Sequence, residues 1–200
     1  MNSSLPYILL CLALVVICIR PLGWYMACVY MQRRLWLEKP LGWLERFIYR
    51  CGGIDPDEEM GWKAYALALL SLAAFGFALL FGVFTLQGAL PLNPQGFAGL
   101  PADTAFNAAV SFVTNTNWQS YSGEAALSYF SQTAGIVVQQ FLSASTGMAV
   151  AVALFRGLAR KKSSTIGNAW ADVVRGVLYI LLPMSLIFSL LLASQGVVQN

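Results

Sequence analysis

The sequence predicts an all-α protein whose helices cross a membrane several times. Hydrophobic residues make up 58% of its 200 residues and charged residues only 10%, whereas about 25% of the residues in a soluble domain are charged. Four apolar stretches each approach or exceed the roughly 20 residues that a bilayer-crossing helix needs. A short apolar helix followed by an uncharged polar stretch separates the second from the third, which is typical of a re-entrant pore loop.

The composition excludes several classes of protein. The chain contains no histidine, which removes Ser-His-Asp and Cys-His nucleophiles, HExxH zinc sites and haem ligation by histidine. A net charge of +3 is too small to indicate nucleic-acid binding. The four cysteines have no CxxC spacing, so neither a zinc site nor a disulfide framework is expected. Without a glycine-rich phosphate loop or an activated nucleophile, we expect no ATP site and no enzymatic activity in this chain.

Hydropathy places the four predicted spans at about residues 5–19, 64–86, 127–155 and 173–193. The first span, which could extend past Arg20, is interpreted as a retained helix and not as a cleaved signal peptide. The four residues before it carry no positive side chain, and no small-x-small cleavage site follows it. The fourth span contains Pro183, which a membrane helix tolerates when neighbouring groups satisfy the freed carbonyl.

The distribution of basic residues predicts the orientation of the spans. Seven of the 12 Lys and Arg residues precede or flank the second span and five lie between residues 156 and 175, while residues 64–155 contain none. The positive-inside rule places both basic regions in the cytoplasm. The N-terminus, residues 87–126 and the C-terminus then lie outside. The basic region 156–175, which includes Lys161 and Lys162, is interpreted as a topology anchor, with a docking surface for an ATPase subunit or for anionic lipid as the alternative.

Two features of the first cytoplasmic region concern local structure. In residues 41–50, apolar side chains recur at helical spacing with Glu45, Arg46 and Arg50 on other faces: Leu41, Leu44, Phe47 and Ile48. This pattern predicts an amphipathic helix that lies against the membrane or another subunit. The acidic run at residues 55–59 predicts a solvated turn, because its oxygen spacing does not fit an EF-hand.

The stretch between the second and third spans does not fit a simple loop. Residues 90–96 are rich in turn formers. Asp103 is predicted to be the N-cap of an apolar helix that ends at Val113 and is too short to cross a bilayer. The polar segment that follows, residues 114–124, has a single charged residue, Glu124, at its end.

This order of elements predicts a re-entrant pore loop. The short helix would enter from the outside, so that its C-terminal end, the negative end of its dipole, would favour a cation at mid-membrane. The polar segment would return to the surface with its carbonyls along a water-filled path, as in cation filters. Two alternatives stay open: an ordinary outer loop with a surface helix, and an aquaporin-like half-helix, although the Asn-Pro-Ala repeat of the latter is absent.

The third predicted span carries two further patterns. Ser143, Gly147 and Ala151 recur at every fourth residue, which predicts close packing against another helix. The same helix carries three side-chain amides: Gln132, Gln139 and Gln140. These amides are expected either to support the polar segment by hydrogen bonding or to join helices.

The run FVTNTNWQSYSGE at residues 112–124, followed by LSYFSQ at 127–132, closely resembles the potassium-binding (A) subunits of bacterial Kdp-type potassium-transporting ATPases. Further matches occur in the same order along the chain: RPLG at 20–23, WKxY at 62–65, PLNP at 91–94, GNxWxD at 167–172, and Arg175. The resemblance therefore covers nearly the whole chain.

This resemblance implies a potassium-transporter superfamily fold, in which four repeats of helix, pore loop and helix surround one pathway. It implies that the chain binds and selects potassium on the outer side and passes it through the bacterial inner membrane, as the channel-like subunit of an ATP-driven uptake complex. The implied partners are a P-type ATPase catalytic subunit, small accessory membrane subunits and the lipid bilayer. Potassium is the transported ligand, and no other metal or organic cofactor is implied.

The resemblance also implies the position of the selectivity filter. Its first wall corresponds to Thr114, Asn115, Thr116 and Asn117, with Gln119 beside it. In an all-α membrane protein of this kind, the filter follows the short helix of the re-entrant loop.

Full members of the family are longer and carry four repeats, so the resemblance divides this chain into four parts. They are an N-terminal transmembrane helix (1–30), a cytoplasmic loop with an amphipathic segment (31–63), the first repeat (64–157), and a basic loop with the first helix of a second repeat (158–200). Two other functions stay open: a stand-alone oligomeric cation channel, and a non-conducting subunit that assembles membrane partners.

The predicted orientation can be tested by cysteine labelling. In a chain without its native cysteines, a cysteine at position 96 should react with a membrane-impermeant reagent added from outside, and one at position 164 should not. Reaction of both positions in intact cells would contradict the four-span arrangement.

Overall fold

A computed structural model describes residues 5–160 and 164–197. Lys161 and Lys162 lie outside the described residues. In chain order the helices are α1 (Leu5–Tyr30), α2 (Glu38–Gly52), α3 (Trp62–Leu86), α4 (Ala102–Val113), α5 (Gly123–Ala126), α6 (Ser131–Ala159) and α7 (Ala169–Ser194). A three-residue 3₁₀ turn, Gln87–Ala89, follows α3 directly.

Four of these helices, α1, α3, α6 and α7, are long and apolar enough to cross a membrane. The four predicted spans are therefore confirmed as helices, with different ends. Helix α1 continues through Pro21 to Tyr30 and is about 39 Å long at 1.5 Å per residue. Long helices are the expected form of such sequences, because in an apolar environment each backbone N–H and C=O must find its partner within the segment.

Helix α4 packs against α3 through small side chains. Ala105, Ala108 and Ala109 are buried against a cluster that includes Leu80 and Phe84 of α3. Alanine has no side chain beyond Cβ, so the two helix backbones can approach closely. The short helix thus lies against the C-terminal half of α3.

At the end of the bundle away from the loop between α3 and α4, a buried ion pair joins α6 to α7. The Arg156 guanidinium donates to both carboxylate oxygens of Asp172, at 2.5 and 3.0 Å, and to the backbone oxygen of Tyr30 at 2.7 Å. The Tyr65 hydroxyl of α3 donates to the same carboxylate at 2.9 Å. This single carboxylate therefore connects three helices, and through Arg156 it reaches the end of α1.

A second buried ion pair joins α7 to α2. Arg175 contacts Glu45 at 2.7 Å and Glu38 at 3.2 Å, and Tyr179 donates to Glu45 at 2.6 Å. The predicted amphipathic helix is confirmed as α2, but the predicted faces are partly wrong. Glu45 is buried and Phe47 is 59% exposed, because the guanidinium of Arg175 and the hydroxyl of Tyr179 stabilise the carboxylate on the inner face.

The predicted small-residue row on α6 is also partly wrong. Ser143 is buried, but Gly147 is exposed and a Cβ there would meet no atom within 4 Å. The small residues that lie in the interface are displaced along the helix: Ser145, Ala149 and Ala153. Helix α7 supplies the reason, because its Val173 carbonyl accepts a hydrogen bond from Ser145 at 2.7 Å.

The acidic run is an exposed turn, as predicted. The Asp55 carboxylate accepts the N–H of Asp57 at 3.0 Å, and the Asn168 side chain donates to the Asp55 carbonyl at 2.9 Å. Hydrogen bonds from the hydroxyl of Thr165 and the guanidinium of Arg160 lower the pKa of Glu59. The turn is thereby attached to the start of α7.

We expect Asp172→Asn to lower the free energy of unfolding by about 3–5 kcal/mol, because it leaves the buried guanidinium of Arg156 without its counter-charge. The matched control is Glu59→Gln, which breaks a salt bridge to Arg160 in which both side chains are more than a third exposed. Its effect should stay within about 1 kcal/mol. The measurement is thermal unfolding in detergent, and equal shifts for the two variants would contradict the assignment.

Candidate functional site

The re-entrant segment begins differently from the prediction. The residue before α4 is Pro101, in an extended conformation with ψ 144°, and no side chain caps the helix. Asp103 is therefore not the N-cap. Because proline has no N–H to donate, it is tolerated at a helix start, where the N–H groups lack intrahelical partners in any case. The Asp103 carboxylate accepts the N–H of Thr104 at 2.8 Å and lies in the first turn, where it complements the helix dipole.

Helix α4 ends beside the middle of α6. The Ser143 hydroxyl donates to the side-chain oxygen of Asn115 at 3.3 Å. Within α6, Ser131–Ala159, Ser143 lies about 18 Å from one end and about 24 Å from the other at 1.5 Å per residue. The first residues after α4 are therefore at mid-depth of the spanning helices.

Both ends of the same segment lie at one end of the bundle. The N–H of Leu100 donates to the carbonyl of Phe84, near the end of α3, at 3.0 Å. The N–H of Tyr129, just before α6, donates to the carbonyl of Leu92 at 3.1 Å. The chain thus enters to mid-depth and returns on the same side, which confirms the re-entrant path. The alternative of a plain surface loop is wrong.

The chain turns after α4 because two asparagines adopt the left-handed conformation. Asn115 has φ 60° and Asn117 has φ 57°, while Thr116 between them has no positive φ. Asparagine is one of the few residues other than glycine that visits this region readily. The sign of φ therefore alternates along Thr114–Asn117, from −85° at Thr114.

This alternation brings three backbone N–H groups together on one residue. Thr116 and Asn117 donate to the Ser111 carbonyl at 2.9 and 3.2 Å, and Trp118 donates to the Ser111 hydroxyl at 2.6 Å. Successive N–H groups converge on one side when right- and left-handed residues alternate. The corresponding carbonyls then face the other side, away from Ser111.

The four carbonyl oxygens of Thr114–Asn117, here called the carbonyl row, accept no hydrogen bond from any described residue. All four residues are exposed on the surface of this chain. Carbonyl oxygens at the C-terminal end of a helix carry partial negative charge and can replace the water around a monovalent cation. The structure therefore brings together the predicted residues Thr114, Asn115, Thr116 and Asn117.

The side chains of the carbonyl row bond back to the protein. The Thr114 hydroxyl donates to the Val110 carbonyl at 2.9 Å and lies 3.0 Å from the Thr116 hydroxyl. The Asn115 amide oxygen is occupied by Ser143. These contacts hold the backbone in place and leave the carbonyls as the groups that can meet an ion.

Gln119 follows the carbonyl row by two residues in the chain. It lines a cavity of about 560 Å³ together with Ser122, Glu124 and Gln132, at the end of the bundle where the re-entrant segment enters. The Ser122 hydroxyl donates to Glu124 at 2.6 Å and lowers the pKa of that carboxyl. The cavity therefore holds a carboxylate near the mouth of the re-entrant segment.

The three amides of α6 have different roles. Gln132 donates to the carbonyls of Leu127 at 3.1 Å and Gly123 at 3.4 Å, so it joins the returning chain to α6. Gln139 packs on Gly76 of α3, where a Cβ would lie 2.7 Å from its amide oxygen. Gln140 is exposed. Only Gln132 supports the polar segment.

Sequence reasoning missed two buried polar residues that hold this loop. Ser111 is 7% exposed and Gln87 is fully buried. The signal at Ser111 was a hydroxyl two residues before the end of an apolar helix, where it can bond to the following backbone. Gln87 had a weaker signal, an uncharged amide directly after a predicted span.

A larger cavity of about 760 Å³ lies at the opposite end, between α1 and α6. Its two basic side chains are already paired: Arg156 contacts Asp172, and Arg160 contacts Glu59. The remaining charged residue of its lining is the exposed Asp57. The carbonyl row, with its unpaired backbone oxygens, is therefore the candidate site among the described residues.

Spanning helices that flank a re-entrant helix with free carbonyls at mid-depth define a multi-pass membrane protein of the ion-transport class. The family is shown by comparison with known proteins. A sequence model of the family described as "Potassium-transporting ATPase A subunit" matches residues 9–200. The chain belongs to this family, as its resemblance predicted.

Similar proteins occur in several bacteria, each named a potassium-transporting ATPase potassium-binding subunit. The protein of Allorhizobium ampelinum is 53% identical over 191 residues, which cover 96% of this chain and 34% of the relative. That of Sorangium cellulosum is 56% identical over 180 residues, 90% of this chain and 31% of the relative. That of Pseudomonas aeruginosa is 52% identical over 201 residues, 100% of this chain and 36% of the relative. The chain spans about a third of the length of these relatives.

We expect Ser111→Ala to loosen the turn after α4 without unfolding the bundle. The variant removes only the hydroxyl that accepts the Trp118 N–H, a hydrogen bond worth about 0.5–1.5 kcal/mol. Hydrogen exchange at the Trp118 amide should therefore accelerate by up to about tenfold. Ser185→Ala is the matched control, because that hydroxyl bonds only within its own helix. Unchanged exchange at Trp118 would contradict the role of Ser111.

Proposed function

We propose that this chain binds and selects potassium ions on the outer side of the membrane. The observation that carries the proposal is the carbonyl row, Thr114–Asn117, whose oxygens are free and lie at the mid-depth end of α4. A potassium ion loses its hydration water favourably when several carbonyl oxygens replace it. The absence of Lys and Arg from residues 64–155 supports the proposal, since no fixed cation competes for the row.

The carbonyl row forms one wall of the ion site in this proposal. It is exposed on the surface of this chain, and the relatives are about three times as long. Three further re-entrant loops from the rest of a full-length protein would supply the other walls. On this basis α3, the re-entrant segment and α6 constitute the first of four repeats, and α7 begins the second.

The chain acts within an ATP-driven potassium uptake complex of the bacterial inner membrane. It is the channel-like, non-catalytic subunit, and a separate P-type ATPase subunit and small accessory membrane subunits are its partners. The names of the relatives, which combine a potassium-transporting ATPase with a potassium-binding subunit, support this assignment.

In the proposed orientation the N-terminus and the re-entrant loop face the outside. For the labelling experiment, Gln95 is a better outer position than Gly96, because Gly96 has φ 68° and a cysteine would be strained there. Gln95 is exposed, as is Ser164 at the proposed cytoplasmic end. The native cysteines at 11, 18, 28 and 51 are replaced first.

The test of the ion site is Gln119→Arg in the transport complex that contains the full-length subunit. A positive charge about 4–6 Å from a bound cation, at an effective dielectric constant near 20, costs roughly 3–4 kcal/mol. The half-saturating potassium concentration should therefore rise by about two to three decades. The measurement is ATPase activity against potassium concentration, with assembly of the complex checked by size-exclusion chromatography.

The control is Glu124→Gln, which removes the one charge of the polar segment. Glu124 is exposed, and solvent and salt screen exposed charges, so the half-saturation point should change little. An unchanged half-saturation point for Gln119→Arg would show that this segment is not the ion-binding wall. Potassium currents without ATP would favour a stand-alone channel, and partner binding without any ion dependence would favour an assembly role.

A further inference from the structure

The re-entrant loop is closed at its neck by one buried side-chain amide. Gln87 is fully buried in the 3₁₀ turn after α3. Its amide nitrogen donates to the carbonyl of Ala98, on the incoming part of the loop, at 2.6 Å. The same nitrogen donates to the carbonyl of Ala126, on the outgoing part, at 2.8 Å. One NH₂ group therefore connects the two ends of the loop to each other.

The amide oxygen of Gln87 completes the connection. It accepts the N–H of Ser128 at 3.1 Å and the hydroxyl of Ser131 at 3.0 Å. Ser131 is the first residue of α6 and of its wide π-helical turn, a form of helix that is frequent at functional sites. Both hydrogens and both lone pairs of this amide are thus used, which is the full capacity of a glutamine side chain.

The backbone around Gln87 is close-packed on the incoming side. A Cβ on Gly99 would lie 2.0 Å from the carbonyl oxygen of Thr85, so the incoming chain touches the end of α3 directly. The outgoing side makes no backbone hydrogen bond to α3 in the described residues. It is held by the Gln87 amide, by Gln132 and by the packing of Leu127 against α3. The Gln87 amide differs from the other two contacts because it also bonds to the incoming chain.

We propose that Gln87 is a positioning residue for the potassium site. It sets the depth of the carbonyl row by holding the two ends of the loop at a fixed separation from α3 and α6. This inference rests on the proposed function of the carbonyl row. It adds that ion affinity and ion discrimination are controlled from a buried amide that does not contact the ion.

The experiment compares Gln87→Met with Gln95→Met in the complex that contains the full-length subunit. Methionine matches the length of glutamine but makes none of the four hydrogen bonds. Gln95 lies in the same loop, is exposed, and bonds only to the Tyr129 hydroxyl at 3.3 Å. The readouts are the half-saturating potassium concentration, the maximal rate, and the ratio of half-saturation points for rubidium and potassium.

For Gln87→Met we expect at least a tenfold rise in the half-saturating potassium concentration and a rubidium-to-potassium ratio closer to one. The maximal rate per assembled complex should stay within about twofold, and Gln95→Met should match the wild type. A purely structural role would reduce the amount of complex without moving the half-saturation point or the ion ratio, and that result would overturn the proposal.

Two milder variants keep the proposal testable if Gln87→Met does not assemble. Gln87→Glu retains the two acceptor contacts and removes the NH₂ donors, and Ser131→Ala removes one of the four bonds. Both should raise the half-saturation point, by about two- to tenfold. Unchanged half-saturation in both, or failure of all three variants to assemble, would overturn the positioning role. If the wild-type complex itself shows no potassium dependence, the proposed function fails instead.

Discussion

The requirement that backbone polar groups be satisfied in apolar surroundings governs this structure. Each unpaired N–H or C=O there costs several kcal/mol. The spanning helices meet the requirement internally, but the re-entrant loop cannot. Its N–H groups at 116–118 are accepted by Ser111, and its neck is bonded to Gln87. The carbonyl row accepts no hydrogen bond from the described residues, and neither do the carbonyls of residues 118–121 that follow it. The proposal places the cation on the carbonyl row because these oxygens also lie at the mid-depth end of α4.

Packing between the helices follows a related constraint. Apolar side chains gain little by leaving lipid for another helix, so small residues and polar contacts decide which helices meet. Here Ala149 and Ala153 permit close approach on α6, while Asp172 and Arg175 give α7 specific partners. Both ion pairs lie at the end of the bundle opposite the mouth of the loop. The helices are thus fixed at one end by charge and at the other by the hydrogen bonds of the re-entrant loop.

The sequence was sufficient to predict the four spans and the re-entrant loop, because hydropathy and the lack of charge act locally and need no knowledge of neighbours. It was not sufficient where a distant partner decides the outcome. Glu45 is buried because Arg175, 130 residues away, contacts it. Gly147 is exposed because α7 packs on Ser145 instead. Asp103 is not the N-cap because α4 already begins at Ala102, directly after the extended Pro101. The roles of Ser111 and Gln87 depend on loop residues that contact them only in the folded chain.

The proposed orientation and the proposed site rest on the same feature of the sequence. Residues 64–155 contain no Lys or Arg, which under the positive-inside rule places the re-entrant loop on the outer side. The carbonyl row therefore faces a region whose described charges are the carboxylates Asp103 and Glu124, both exposed and screened by water. With so little fixed charge nearby, the proposed site would attract a cation through the carbonyl dipoles and the end of α4. Dipoles act over short distances, so small displacements of the carbonyl row would change the affinity strongly. In this proposal the buried amides and hydroxyls that hold the backbone therefore matter as much as the oxygens that would contact the ion.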